Sequence, residues 1–454
     1  MKRWVVLLLC LAVGGSCLGR FSCFWSERSA DDIAVERSFQ GDAGARLKSL
    51  EGEDSRANQT VRRPGGTEYT PKELYEAAVS YGYEGTYFDF LFEYFAEKRT
   101  EGAVARSLLS AVCISSGFTR THRGFGFQTV TQAYSSAGAG VIYALDKQKG
   151  DAYIITNYHV VYDADSDEED GISKKIQVYL YGQPKEGAEG IPAAYVGGSM
   201  TYDIAVLRIE GSALLQNSAA QAAELANSTE VAVGDVAIAI GNPSDGGISA
   251  TRGIVSVDSE YIVMTAADGR SYVKFRVIRI DTPVNSGNSG GGLFSEDGKV
   301  IGIVNAKVTR SGIEGLAYAI PSNVAKYIAD NLVIQYESGA KNGVVYRGIL
   351  GITPEAAESY GAYDAVEGAT YIVEKVRVAG ITEGSLADGV LQKGDVIRAM
   401  TIGKKRHEIQ RMFDATDLML SCRAGSAVTV EFERNGKTRS HTFTLSEKDL
   451  VTVQ

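Results

Sequence analysis

The sequence predicts a mainly β chain: a short N-terminal helical segment, a central domain of antiparallel barrel or sandwich type, and a second, smaller unit of strands behind it. Two observations carry this reading. At 454 residues and 44% apolar content, the chain is too long for one ordinary core and holds enough apolar material for two or three. From about residue 104 onward, short apolar runs are separated by Gly, Asp and Asn at the spacing of strands and turns.

Lys2 and Arg3 precede an apolar run from Trp4 to Leu18 that Gly14 and Gly15 interrupt. That is a charged n-region and an h-region too short for a bilayer span of about 20 residues. Residues 1–25 therefore read as a signal peptide or membrane anchor, and the chain is expected to work outside the cytoplasm. Removal, retention as an anchor and lipidation at Cys17 stay open. Residues 26–68 are polar and aperiodic, a flexible linker. Thr70-Pro71-Lys72-Glu73 then opens a helix with a capping box and a Pro at its first position. A second box at Thr86-Tyr87-Phe88-Asp89 opens an aromatic-rich run through Phe95, so residues 69–103 form a helical hairpin with a spacer or docking role.

Strands are expected over Ala139–Tyr143, Tyr153–Thr156, Ile176–Tyr181, Ile204–Ile209, Val236–Ile240, Val273–Ile280 and Val300–Val304. A helix from Ser322 to Leu332, capped by Ser322, closes a domain spanning 104–335. Residues 345–450 make the second unit, with a helix near Asp414 to Ser421 and a hairpin turning at Asn435-Gly436.

The net charge of -10 and pI near 5.2, with no basic stripe, argue against nucleic acid as a partner. The acidic run Asp163, Asp165, Asp167, Glu168, Glu169 and Asp170 lacks the ordered spacing of a calcium loop and reads as a solvated loop. Of five cysteines, Cys10, Cys17 and Cys23 lie in or beside the export segment; Cys113 and Cys422 remain as small hydrophobes, with no disulfide framework indicated. Four histidines and no Cys/His cluster give no zinc site, and no GxxxxGK[ST] loop is present, so neither a metal nor any other cofactor is expected and the chemistry should not need ATP.

Ser289 lies in Asn285-Ser286-Gly287-Asn288-Ser289-Gly290-Gly291-Gly292. A serine nucleophile needs an exposed hydroxyl on a tight turn, with backbone N–H groups facing the developing oxyanion. The flanking glycines permit that turn, and Gly287-Asn288-Ser289 is the candidate oxyanion hole, with the N–H groups of Gly287 and Ser289 as its donors. His159 follows the apolar run Ile154-Ile155 in Thr156-Asn157-Tyr158-His159-Val160-Val161, at a strand end where a general base must sit. Asp203 precedes the strand Ile204-Ala205-Val206-Leu207 and is the candidate carboxylate that holds the imidazole tautomer. The bland readings are a Gly/Ser turn, a structural histidine and a strand-start aspartate. The order His, Asp, Ser matches one of the known triad orders and ties the three together.

On these residues, together with Gly241-Asn242-Pro243, Gly253-Ile254-Val255-Ser256, Asp281 through Gly291 and Ala319-Ile320-Pro321-Ser322-Asn323, the chain resembles the HtrA (Deg) family of envelope serine proteases from about 104 to 448. The resemblance implies a chymotrypsin-like double β-barrel followed by one PDZ domain. It assigns His159, Asp203 and Ser289 as base, orienting acid and nucleophile. Asn288 stands where digestive relatives of that fold carry an Asp that pairs with a freshly cut N-terminus, so activation by clipping is not expected. Tyr346 through Ile352 resembles the PDZ carboxylate-binding loop, with Arg347, Gly348, Ile349, Leu350, Gly351 and Ile352 as peptide-binding residues, and Gly394-Asp395-Val396-Ile397 resembles a second PDZ signature. The stretch Val378 to Gly384 looks enlarged against that pattern. Further implied are a homotrimer in the bacterial cell envelope, periplasmic or otherwise extracytoplasmic, unfolded polypeptides and peptide C-termini as partners, and a small aliphatic residue before the scissile bond, with Val284, Asn285 and Leu316 to Tyr318 near the pocket. The competing readings are a peptide-binding chaperone or scaffold with little turnover, and an esterase on the same triad.

Overall fold

The computed structural model describes residues 71–80, 82–85, 87–123, 129–183, 189–242, 247–305, 316–340, 343–365 and 368–453. The export segment, the linker and the caps Thr70 and Thr86 lie outside these residues. The chain divides into two compact units, Met1–Arg99 and Thr100–Gln454.

In the first unit, α1 (Pro71–Ser80) and the start of α2 (Tyr87–Leu108) form the expected helix pair. Tyr75 gathers Tyr83, Tyr87 and Phe90 around it at ring separations of 6.2, 5.2 and 5.6 Å. The helix α2 runs on to Leu108, past the expected boundary at 103. Its later part belongs to the second unit, where Ala103 is fully buried in the main apolar cluster.

The second unit begins with β1 (Ala111–Arg123), β2 (Thr129–Asp146), β3 (Asp151–Thr156), the single turn α3 (Tyr158–Val161), β4 (Lys175–Leu180), β5 (Ile191–Ser199), β6 (Ile204–Ile209) and the short α4 (Ala213–Gln216). The strands run in the order β5-β4-β1-β2-β3-β6, and β5 also pairs with β6, which closes a six-stranded barrel. Val112, Ile114, Ile142, Ile154, Val178 and Leu207 fill it. A second closed barrel follows from β7 (Val236–Gly241), β8 (Ser249–Thr265), β9 (Tyr272–Ile280), β10 (Gly292–Phe294), β11 (Val300–Asn305) and β12 (Ala317–Pro321). Its interior holds Ala239, Val255, Ile278, Leu293 and Val304. Residues of both barrels, among them Val141, Ile155, Val206, Ile240 and Ile303, share a third cluster. This is the double barrel that the family resemblance implied. The strands it missed, β1 and β5 above all, carry Ser, Thr or Gly between their apolar residues, which blurs the apolar run.

The helix expected at Ser322 is α5 (Ser322–Glu337), five residues longer than predicted at its C-terminal end and with Pro321, not Ser322, in the cap position. The Ser322 hydroxyl donates instead to the Ala226 carbonyl at 2.8 Å, tying the helix start to the second barrel's entry loop. Beyond it, β13 (Gly343–Val344) adds in parallel to β5. The smaller unit comprises β14 (Tyr346–Gly348), β15 (Ile352–Asp364), β16 (Ala369–Ile381), β17 (Val396–Ile402), β18 (Lys405–Glu408), α6 (Met412–Leu418), β19 (Ala427–Arg434), β20 (Lys437–Thr444) and β21 (Leu450–Thr452). Asn435 and Gly436 take φ of 52° and 72° in the predicted hairpin turn. Within the stretch Val378 to Gly384, Val378 to Ile381 are the end of β16, which pairs with β15 in a hairpin of thirteen residues to a side.

This unit docks on the barrels through polar groups in a dry setting. Arg276 of β9 donates from Nε and Nη2 to Asp417 of α6, at 2.8 and 2.6 Å, and lies 4.1 Å over the Phe413 ring. Burial raises the Asp417 carboxyl, against the pull of Arg276. Such a pair is costly to break, because its survivor is left charged and dry.

Candidate active site

The end of β3 feeds Asn157 and then the α3 turn, which puts His159 at the mouth of the first barrel. The four-residue turn from β5 into β6 delivers Asp203 opposite it, at a φ of 51°, one of two left-handed non-glycine residues among those described. Asp203 Oδ2 lies 2.7 Å from His159 Nδ1, and Oδ1 accepts the His159 backbone N–H at 2.9 Å. The Asp203 carbonyl accepts from Asn157 Nδ2 at 2.8 Å and from the Tyr158 N–H at 3.2 Å. A ring so held presents Nε2 outward as a proton acceptor, with a buried carboxylate behind to stabilise the imidazolium.

Asn305, at the end of β11, donates from Nδ2 to the same Asp203 Oδ2 at 2.9 Å and is fully buried. The carboxylate is therefore shared between the two barrels. Sequence reasoning missed this residue; the signal was a polar amide closing the all-apolar run Val300 to Val304.

Ser289 sits on the second barrel's turn before β10. Its carbonyl accepts the Ala139 N–H at 2.9 Å, and the following Gly290 donates to the Val304 carbonyl at 3.0 Å. Gly290 has φ of 83°, and a Cβ there would fall 2.3 Å from Thr156 Oγ1 and 2.9 Å from the Asn157 N. The serine turn thus nests against the residues that lead into His159, and only glycine allows the approach. Gly287 is also left-handed, at 97°. Among the described residues the amides of Gly287 and Ser289 donate to no protein acceptor, as an oxyanion hole requires. The Asn288 amide is committed to the Asn285 carbonyl at 3.0 Å, and its buried side-chain Oδ1 has no partner. Asn288 shapes the turn, then, and is no donor to an oxyanion. No hydrogen bond joins Ser289 Oγ to His159 among the described contacts; such bonds are often long before substrate arrives.

The peptide-binding residues expected at Arg347 to Ile352 separate into two groups. Arg347 and Gly348 pair with β21, the Arg347 guanidinium reaches Tyr202 OH at 3.4 Å, and the Ile349 amide donates to the Asp449 carbonyl at 2.8 Å. The amides of Leu350 and Gly351 have no backbone acceptor among the described residues, while their carbonyls receive Ala387 and Thr382 N–H groups at 2.9 and 2.8 Å. Ile352 begins β15. Gly351 has φ of 80° and touches Ser385 so closely that a Cβ would overlap it. Of the expected substrate-pocket walls, Ala317 and Tyr318 are buried in β12, Val284 and Leu316 are half-buried and Asn285 is exposed. Pro243, in one of the motifs of the resemblance, lies outside the described residues.

The acidic run is a cross-linked loop. Asp163 accepts from Tyr134 OH at 2.7 Å, Asp167 from the Thr121 N–H and hydroxyl at 2.8 Å each, and Asp170 from Lys174. Cys113 and Cys422 are both buried.

Two closed six-stranded barrels with a serine turn, a histidine and a carboxylate at their junction make this a trypsin-like serine peptidase, and the family model for the trypsin-like peptidase domain matches residues 138–303. The chain belongs to the HtrA family of serine proteases. It is 31% identical over 323 residues to the serine protease Do-like HtrA of Lactococcus lactis subsp. lactis, covering 69% of this chain and 71% of that protein. It is equally similar to the serine protease Do-like HtrA of Bacillus subtilis, 31% over 323 residues, where the match covers 69% of this chain and 64% of the relative. The chain thus spans about two thirds of the length of these curated relatives. A solved HtrA-type protease, AlgW with a tripeptide, is similar at 27% identity over 76% of this chain and 96% of that one, with a TM-score of 0.45.

Proposed function

We propose that this chain is an ATP-independent serine endopeptidase that cleaves unfolded or damaged proteins of the cell envelope and recognises peptide C-termini through its smaller, PDZ-type unit. Ser289 is the nucleophile, His159 the general base and Asp203 the acid that orients it. The observation that carries this reading is the Asp203 carboxylate, buried, donated to by Asn305, and 2.7 Å from His159 Nδ1. That bond places the Nδ1 proton toward Asp203 and leaves Nε2 to take the Ser289 proton as Oγ attacks a carbonyl carbon. The amides of Gly287 and Ser289 receive the oxyanion, and the imidazolium then hands its proton to the leaving amine. Water repeats the cycle on the acyl-enzyme.

The amides of Leu350 and Gly351, which have no backbone acceptor among the described residues, support capture of a terminal carboxylate, with the peptide adding as a strand to β15, the edge of its sheet. An envelope location agrees with the charged and apolar N-terminus and with a relative in Pseudomonas putida described as a probable periplasmic serine endoprotease. A homotrimer is the corresponding assembly. The test is degradation of reduced casein by the chain and by Ser289→Ala, with and without ATP. Cleavage that needs Ser289 and ignores ATP is expected; cleavage by Ser289→Ala at the parent rate overturns the triad, and none by either form, even with added C-terminal peptides, favours a chaperone.

A further inference from the structure

We propose that Ser199 is a positioning residue for the catalytic acid: its hydroxyl holds the turn that carries Asp203, and the carbonyl of Val453, far along the chain, holds that hydroxyl. The inference rests on Asp203 being the triad carboxylate.

The turn is weakly closed by its own backbone. Asp203 donates to the Met200 carbonyl at 3.4 Å, and its left-handed φ of 51° costs about 1 kcal/mol for a residue with a Cβ. Ser199, the last residue of β5, supplies what is missing. Its Oγ accepts the Tyr202 N–H at 3.3 Å and donates to the Val453 carbonyl at 2.5 Å. A hydroxyl has one proton to give, so committing it to Val453 leaves the oxygen lone pairs for Tyr202. Ser199 is fully buried, and water cannot stand in for either partner.

Val453 is itself fixed. Its N–H donates to the Val345 carbonyl at 2.9 Å, and its side chain belongs to the apolar cluster of Val196, Tyr202 and Ile204. It directly follows β21, which pairs with β14. The ladder that leads into the Leu350–Gly351 loop therefore also sets the back of the Asp203 turn. One side of that turn is gripped by His159, Asn157 and Asn305, and the other by Ser199. With the second grip gone, the turn can relax out of its left-handed conformation and draw the carboxylate off His159 Nδ1.

The test uses the full chain with Ser199→Ala, Ser199→Thr and a chain ending at Thr452, which removes the Val453 carbonyl. Peptide hydrolysis gives kcat and KM, and proton NMR reports the low-field resonance of the His159 Nδ1 proton shared with Asp203. Ser199→Ala should lower kcat ~10-fold, since small misplacements of catalytic groups are costly, with KM unchanged within about twofold, and should shift or broaden the resonance; Ser199→Thr should restore both. The shortened chain should behave like Ser199→Ala, and combining the two should cost no more than either alone, as expected for partners in one bond. Unchanged kcat and resonance in Ser199→Ala, or fully additive losses, overturn the proposal. Ser289→Ala in the same assay checks the triad separately. The resonance needs only the His159–Asp203 pair, so it reports on Ser199 even in a chain that turns over slowly.

Discussion

The two halves of the candidate active site are built on opposite principles. Asp203 receives five hydrogen bonds, two from His159 and one each from Asn157, Tyr158 and Asn305. It is over-determined by both barrels. Ser289 rests on a turn of glycines with two left-handed residues, tied down among the described contacts through backbone groups. The difference follows the chemistry. The acid and base must keep one geometry through the cycle, whereas the serine turn must leave its amides unpaired for a charge that exists only in the transition state. A site can be rigid where its partners are permanent and must be sparing where its partner is the substrate.

The largest effect should come from breaking the rigid half without disturbing its shape. Asp203→Asn keeps the size of the side chain but favours the wrong imidazole tautomer, and kcat should fall ~10⁴-fold with KM nearly unchanged, read from steady-state hydrolysis of a peptide substrate. Combined with Ser289→Ala it should cost little more than the serine change alone, because the groups act as a unit. Additive losses would mean that the two halves do not serve one reaction. A smaller effect is expected from Asn305→Ala, which removes one of the bonds to Oδ2 and opens a polar gap. At about 1.5 kcal/mol for a bond to a charged acceptor, kcat should drop ~10-fold. A drop comparable to that of Asp203→Asn would show that the carboxylate depends on a single donor, and the contrast between the halves would fall.

The same contrast explains what was legible in the sequence. His159 stands just after one apolar run and Asp203 just before another, Ser289 lies in a Gly/Ser turn, and their order along the chain carries the site. The two barrels showed as alternating runs and turns because their buried faces are nearly pure Val, Ile and Ala. What stayed hidden was long-range and polar. Asn305 acts across the junction of two barrels, Arg276 meets Asp417 at a separation of 141 residues, and Ser199 meets Val453 at 254. A side-chain bond of that kind leaves no periodicity behind. Ser322 misled for the converse reason: a hydroxyl at a helix start looks like a cap, yet tertiary contact gave it to Ala226.

The smallest prediction sharpens the comparison with a third carboxylate. Asp414, buried at the start of α6, accepts the Gln410 and Arg411 N–H groups on Oδ2 at 3.1 and 2.9 Å, but its buried Oδ1 has no partner. Asp203 has donors on both oxygens. Burial accordingly pushes the Asp414 carboxyl up, to about 6. In the unfolded chain such a group titrates near 3.9. Between these values the folded chain holds a proton that the unfolded chain has lost, so this group's contribution to stability falls as pH rises from about 4 to 6 and stays low above. Asp414→Asn removes the charge while keeping an acceptor for the two backbone donors. Linkage sets a ceiling of ~3 kcal/mol on the gain at pH 7.5, and about 1 kcal/mol should be realised once the new amide has to find room. The gain should vanish by pH 4, read as the difference in thermal midpoint between variant and parent at the two pH values. A variant less stable than the parent at pH 7.5 would mean that the charge on Asp414 is used, and that its free oxygen faces a donor.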